Sequence, residues 1–161
     1  MIDANVFKQV MRRYATGVMV LTVRDGEAFH AVTVNSVTSV SLAPPLLLVC
    51  LEKNTRSHAL VHHAGQFGLN ILSAAQAELG KAFAYDRAAR STPMQLTETF
   101  IHASGALLFT NAPGYFVCRV VAEYPGGDHT IFLAEVQDAQ TQNDNLEPLV
   151  YYAGQWRALQ A

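Results

Sequence analysis

The sequence carries little charge and no basic run. Asp, Glu, Lys and Arg make up 15% of its 161 residues, and the net charge is -2. Nucleic-acid binders show a basic face, so that class is disfavoured. Low charge also suits a surface that another subunit partly covers. The only two cysteines, Cys50 and Cys118, stand in apolar, strand-like runs and are expected to be buried free thiols. No apolar stretch reaches the ~20 residues that span a bilayer. The opening MIDANVFKQVMRRY is amphipathic and not the apolar core of a signal peptide, so no membrane contact and a cytoplasmic location are expected. Internal repeats and low-complexity segments are missing. So are G-x-G-x-x-G after a strand, a P-loop, H-E-x-x-H, C-x-x-C and G-x-S-x-G. A Rossmann site, a zincin centre and a nucleophile elbow are thereby disfavoured.

What is present is mostly strand. The length suits one domain, residues 1–161. A first helix is expected where Val6, Val10, Met11 and Tyr14 recur at helical spacing, with Phe7 beside them and Asn5 as cap. Arg12 and Arg13 lie off that stripe. Residues 18–23 and 29–34 read as strands around an Arg24-Asp25-Gly26-Glu27 turn. Residues 35–41 are rich in hydroxyls, and Pro44-Pro45 breaks the chain. Residues 46–51 form a continuous apolar strand, expected to be buried on both faces.

Ser57 is the expected N-cap of a short helix over residues 58–64, with Gly65 as its stop. Residues 67–72 are strand, 74–85 helix, and 86–100 mostly loop. Residues 106–109 and 116–124 are strands. The stretch GGDHTIFLAEV supplies the next strand, with Thr130, Phe132, Ala134 and Val136 on one face. Residues 140–147 read as polar loop, and 149–152 with 155–159 as a closing hairpin. The strands come in hairpins and not in βαβ units, so the fold class is mainly β with α, built on an antiparallel sheet. A small closed or split barrel accommodates this many short apolar strands.

Three features bear on chemistry. His58 and His62 have i, i+4 metal-ligand spacing, but the nearby third histidine, His63, faces elsewhere, and no metal is assigned. The loop Lys53-Asn54-Thr55-Arg56-Ser57 puts two cations, two hydroxyls and an amide at a helix N-terminus. That is either a phosphate site or an ordinary capped loop. The hydroxyl-rich stretch from Thr33 to Ser41 either leaves the backbone open to a flat ligand or is simply a polar edge strand.

Four segments in order carry a family resemblance: ATGV at Ala15, TVNSVTSVSLAPP at Thr33, FGLN at Phe67 and GDHTIF at Gly127. Together they resemble the short-chain flavin reductases, the reductase components of two-component flavin-dependent monooxygenases. The resemblance runs from about Phe7 to Leu159. It implies a six-stranded antiparallel Greek-key barrel of the FMN-binding split-barrel type, with two or three flanking helices, assembled as a homodimer. It implies FMN or FAD, NADH or NADPH as hydride donor to flavin N5, and release of reduced flavin to a separate oxygenase.

Residue by residue, the resemblance puts Thr33, Val34, Asn35 and Ser36, with Ser39, against the isoalloxazine edge and ribityl chain. Cys50 and Leu51 run their backbone along the ring. Lys53, Thr55, Arg56 and Ser57 take the phosphate. Phe83, Ala84 and Tyr152 lie beside the cofactor, and His129 lies where nicotinamide stacks. His129 either orients that ring or is a turn histidine, with Asp128 as its orienter. Ala31 replaces a common Gly and is expected to narrow the site. Two other readings remain open: a split barrel holding FMN tightly without acting as a diffusible-flavin reductase, and a reductase of another acceptor such as a corrin.

Overall fold

The alternating apolar runs fold into an antiparallel sheet whose two outermost strands are consecutive in the chain. The structure is a computed structural model and describes residues 2–142 and 145–159. The chain opens with helix α1 (Ala4–Met11), a two-residue strand β1 (Thr16–Gly17), then β2 (Met19–Asp25), β3 (Ala28–Val34), β4 (Val37–Leu42) and β5 (Pro45–Glu52). Helix α2 (Arg56–Ala64) leads to β6 (Gln66–Ile71). A 3-10 turn (Ala74–Gln76) precedes α3 (Ala77–Tyr85), α4 (Arg87–Arg90) and α5 (Pro93–Leu96). Short strands β7 (Thr99–Ile101) and β8 (Leu107–Phe109) follow, then the long hairpin β9 (Gly114–Gly126) and β10 (His129–Thr141), and finally β11 (Leu149–Tyr152) and β12 (Gln155–Ala158).

The main sheet has the order β3-β2-β6-β9-β10-β5-β4. Laid flat, seven strands at ~4.8 Å spacing would put β3 and β4 roughly 29 Å apart. Yet only Asn35 and Ser36 join Val34 to Val37, a reach of about 11 Å. The sheet must therefore curl until its edges meet, and they meet without pairing. Such a barrel is split, with Asn35-Ser36 bridging the seam. Counted as one run broken at the seam, β3 and β4 reconcile the seven segments with the six strands expected.

The barrel interior holds Leu21, Val49, Leu51, Phe67, Leu69, Cys118 and Phe132, all buried. A second cluster lies under α3 and the closing hairpin: Val20, Ala31, Leu72, Phe83, Phe109 and Leu149, with Trp156 packed against it. Each large side chain so buried contributes about 1.5–3 kcal/mol. Ala31 belongs to this cluster and is fully buried, so its methyl packs in the core and does not line the cavity described below. The FGLN run needs its glycine: a Cβ on Gly68 would stand 2.6 Å from Thr22 Oγ1 and 2.8 Å from the Leu107 carbonyl.

Several expectations shift. Asp3, not Asn5, caps α1; its carboxylate accepts from the amides of Asn5 and Val6. Thr55, not Ser57, caps α2, accepting from the His58 amide at 3.3 Å, and Gly65 ends that helix in the left-handed region as expected. Ser57 lies inside the helix and is buried because its hydroxyl is hydrogen-bonded to His30 Nε2 at 2.9 Å. Residues 86–100 are not mostly loop. Asp86 accepts from the Ala88 amide to start α4, and Pro93 begins α5, where its missing N–H costs nothing. The expected loop 140–147 is partly strand at its start, and residues 143 and 144 lie outside the described residues. Strand β5 buries one face only: Leu47, Val49 and Leu51 point into the core, while Leu46, Leu48 and Cys50 are half-exposed. Cys50 is thus not the buried thiol expected, whereas Cys118 is. Among the described residues no helix is long and apolar enough to cross a membrane.

Candidate active site

The half-exposed face of β5 is open because a cavity of about 920 Å³ lies against it. Leu48 and Cys50 of β5, Val37 and Thr38 of β4, and Met19 of β2 form one side. Asn35 and Ser36 contribute the seam, and His129 stands at the end where β10 begins. The opposite side comes from the end of α1, the Ala15-Thr16-Gly17 segment and Tyr151 of β11.

The seam is held by its own polar groups. The Ser36 hydroxyl donates to the Cys50 carbonyl at 2.8 Å, and the Cys50 amide donates to the Ser36 carbonyl at 3.2 Å. Asn35 Nδ2 donates to Thr16 Oγ1 at 3.1 Å, tying the seam to β1, which in turn pairs with β11 through Thr16 and Tyr151. Burial pushes the Cys50 thiol up from its ordinary pKa. It is a neutral wall of the cavity rather than a nucleophile.

His129 begins β10 opposite Glu52 of β5. Its Nδ1–H donates to Asp128 Oδ1 at 2.8 Å, and that bond with the imidazole's charge holds the Asp128 carboxyl below its ordinary range. Asp128 thereby fixes the ring tautomer and leaves Nε2 as the atom free for a ligand. Gly127, with φ 72°, makes the turn that places this pair. The neighbouring Lys53 braces the corner: its amide donates to the Asp128 carbonyl at 2.9 Å and its ammonium to the Gly127 carbonyl at 2.7 Å.

Of the residues singled out in the sequence, the structure brings Asn35, Ser36, Cys50 and His129 together on the cavity. The others are not among its lining residues. The side chains of Val34 and Leu51 point into the barrel core, so only their backbone can face a ligand. The Thr33 hydroxyl donates to the Gly80 carbonyl at 2.7 Å, fastening α3 to β3. Ser39 is exposed on edge strand β4. Phe83 is fully buried in the second cluster, and its carbonyl and that of Ala84 accept from Arg90. Tyr152 is one residue out of phase: in a strand alternate side chains face opposite ways, and it is Tyr151 that lines the cavity.

The loop from Lys53 to Ser57 flanks the His129 corner without lining the cavity. Four of its five side chains have partners within the chain: Lys53 with the Gly127 carbonyl, Arg56 with Asp25, Ser57 with His30, and the Thr55 hydroxyl with the Glu52 carbonyl at 2.7 Å. The sequence pattern missed Lys8, Arg12 and Tyr14, which also line the cavity. Their signal was the i, i+4 spacing of Lys8 on α1 and Arg12 at its C-cap, which reads equally as a solvated face.

A flat heteroaromatic ligand fits this lining. Met19, Val37 and Leu48 offer apolar contact, and Asn35, Ser36 and His129 offer hydrogen bonds. No Asp or Glu is among the lining residues. Residues 11–160 match the family described as flavin reductase like domain. The chain belongs to that family. Its likeness to individual members is spread over nearly its whole length. It is 38% identical to an NADH-dependent FMN reductase, AsuE2, of Streptomyces nodosus subsp. asukaensis, covering 95% of this chain and 83% of that protein. It is 34% identical to the NADH-dependent flavin reductase StyB of Pseudomonas fluorescens, covering 96% and 89%. Among solved structures it resembles BorF, the flavin reductase component of a bacterial two-component tryptophan halogenase, with TM-score 0.89, 36% identity and 98% of both chains covered.

Proposed function

We propose that this chain is an NADH-dependent flavin reductase that binds FMN or FAD in the cavity at the seam and hands reduced flavin to a separate oxygenase. The observation that carries the reading is the convergence of Asn35, Ser36, Cys50 and His129 on one cavity in a chain of this family. Nicotinamide and flavin supply the hydride chemistry between them, which asks for no side-chain nucleophile. The protein contributes position and field. The seam presents the Asn35 amide and Ser36 hydroxyl to the ring edge. Leu48, Val37 and Met19 exclude water from its face. His129, oriented by Asp128, offers Nε2 to the nicotinamide carboxamide. No carboxylate lines the cavity itself, and Asp128 stands behind His129 at one end, so the negative charge that the flavin gains meets none directly.

The assembly read here is a homodimer in the cytoplasm. Its support is apolar surface that one chain leaves open: Val10 of α1 is 64% exposed and Leu42 of edge strand β4 is 94% exposed. The oxygenase partner is supported by the reductase components among the relatives.

The test is direct. Protein is mixed with NADH or NADPH and with riboflavin, FMN or FAD, and absorbance at the nicotinamide band is followed. Flavin-dependent oxidation that needs added flavin is expected; its absence with either donor sinks the reading. The variant His129→Ala should slow hydride transfer at least about tenfold while flavin still binds. Unchanged transfer would reduce His129 to turn chemistry.

A further inference from the structure

One face of α1 has no role in the fold, yet it lines the cavity. Phe7, Lys8, Met11 and Arg12 lie along it, one helical turn apart in pairs, with Tyr14 just beyond. Among the described residues three cations elsewhere pair with carboxylates: Arg56 with Asp25, Lys81 with Glu78 and Arg119 with Glu135. Among the described residues no carboxylate pairs with Lys8 or Arg12, and none lines the cavity they face. Two unmatched cations on one wall of a carboxylate-free cavity raise the local concentration of anions. The wall is also anchored: the Arg12 carbonyl accepts from the Ala153 amide at 2.8 Å, in the turn after the strand that contributes Tyr151. Phe7 and Tyr14, more than half exposed, give this face the aromatic surface on which a nucleobase stacks.

Cations at i, i+4 between two exposed aromatic rings suit a ligand with two adjacent phosphates and a base. We propose that Lys8 and Arg12 are the docking site for the pyrophosphate of a dinucleotide whose reactive ring enters the cavity. This deepens the reductase reading and rests on it for the identity of the ligand, which is either the nicotinamide donor or FAD.

The experiment compares Lys8→Gln/Arg12→Gln with the parent, and uses Arg13→Gln, which removes one charge from the same segment but does not line the cavity, as control. Equilibrium binding is measured for NAD+ against nicotinamide mononucleotide, and for FAD against FMN, at two salt concentrations. The double variant is expected to bind one dinucleotide about tenfold or more weakly, and its mononucleotide half with at most a twofold change. Salt should weaken that dinucleotide less in the variant than in the parent. Loss confined to NAD+ assigns the site to the donor, and loss confined to FAD assigns it to the flavin. Arg12→Lys in the Lys8-containing chain should restore most of the affinity.

Binding of both dinucleotides within twofold of the parent overturns the proposal. So does an equal loss in Arg13→Gln, or an equal loss of mononucleotide and dinucleotide. A parent that binds NAD+ in this way but oxidises no NADH with any flavin defeats the reductase reading and leaves the docking site standing.

Discussion

Helices α1 and α2 are nearly equal in length, 8 and 9 residues, yet they relate to the sheet in opposite ways. Helix α2 buries Val61 and Ser57 and is pinned to three strands. Ser57 is bonded to His30 of β3 at 2.9 Å, His58 to Thr130 of β10 at 2.8 Å, and His62 to Glu123 of β9 at 2.9 Å. Helix α1 has the clearer apolar stripe but buries none of its residues. Polar side chains that find partners in the barrel make α2 part of the fold. Apolar side chains that find none leave α1 exposed along one wall of the cavity.

The largest effect that could break this contrast comes from a charge placed on each helix. Val61→Asp puts an unpaired carboxylate in the barrel core and should lower stability by at least about 4 kcal/mol. Val10→Asp on α1 should leave the urea midpoint within about 0.5 kcal/mol at concentrations that populate the monomer. Similar losses from the two would mean that α1 is as much a part of the core as α2.

Acid should act next, at His30 of β3, which Ser57 of α2 meets. Burial, helped by Arg56 and Arg90 and opposed by Asp25, lowers the pKa of His30 from 6.5 to about 4. The folded chain thus holds a neutral imidazole where the unfolded chain takes up a proton below pH 6.5. Stability from this group is complete above pH 6.5 and is lost as pH falls toward 4, by about 3 kcal/mol in all. Denaturation followed across that window should show this slope in the parent and lose it in His30→Gln. The same slope in the variant would assign it to other groups.

The two N-caps give a smaller, matched pair. Thr55→Ala should destabilise by about 1 kcal/mol, since the fold depends on α2. Asp3→Ala should cost only a few tenths in the same denaturation, because fraying α1 uncovers no core. The smallest effect on the fold should be the most visible in assembly. Under the proposed homodimer, Val10→Glu with Leu42→Glu is expected to shift the mass by light scattering toward the monomer, with the thermal transition of the monomer unchanged. An unaltered mass would move the subunit interface away from these residues.

Much of this was legible in the chain. Strand periodicity located the barrel strands, Gly65 marked the end of α2, and the order of the ATGV, TVNSVTSV and GDHTIF segments pointed to the family. Asn35, Ser36 and His129 could be singled out as well, and they line one cavity. What local pattern could not reveal was pairing across the fold. Arg56 meets Asp25 and Ser57 meets His30 from about thirty residues away, so a loop that looks like free polar side chains has most of them engaged. A one-residue phase error separates Tyr152 from Tyr151, because two adjacent tyrosines carry no mark of which faces inward. The apolar run of β5 gave no hint that one of its faces opens on a cavity, since alternation disappears when both faces are apolar.

The two-residue link at the seam makes length, and not only residue type, a specification. Side chains in a strand reverse with each added residue. One residue inserted between Val34 and Val37 would turn Thr38 toward the barrel core where Val37 now packs, and would carry the Ser36–Cys50 bonds out of register. The described stretch on either side of residues 143 and 144 sits in no such closure, so added chain there would change neither sheet edge. Between related proteins, then, the spacing from Val34 to Val37 should be the distance along the chain that drift leaves alone.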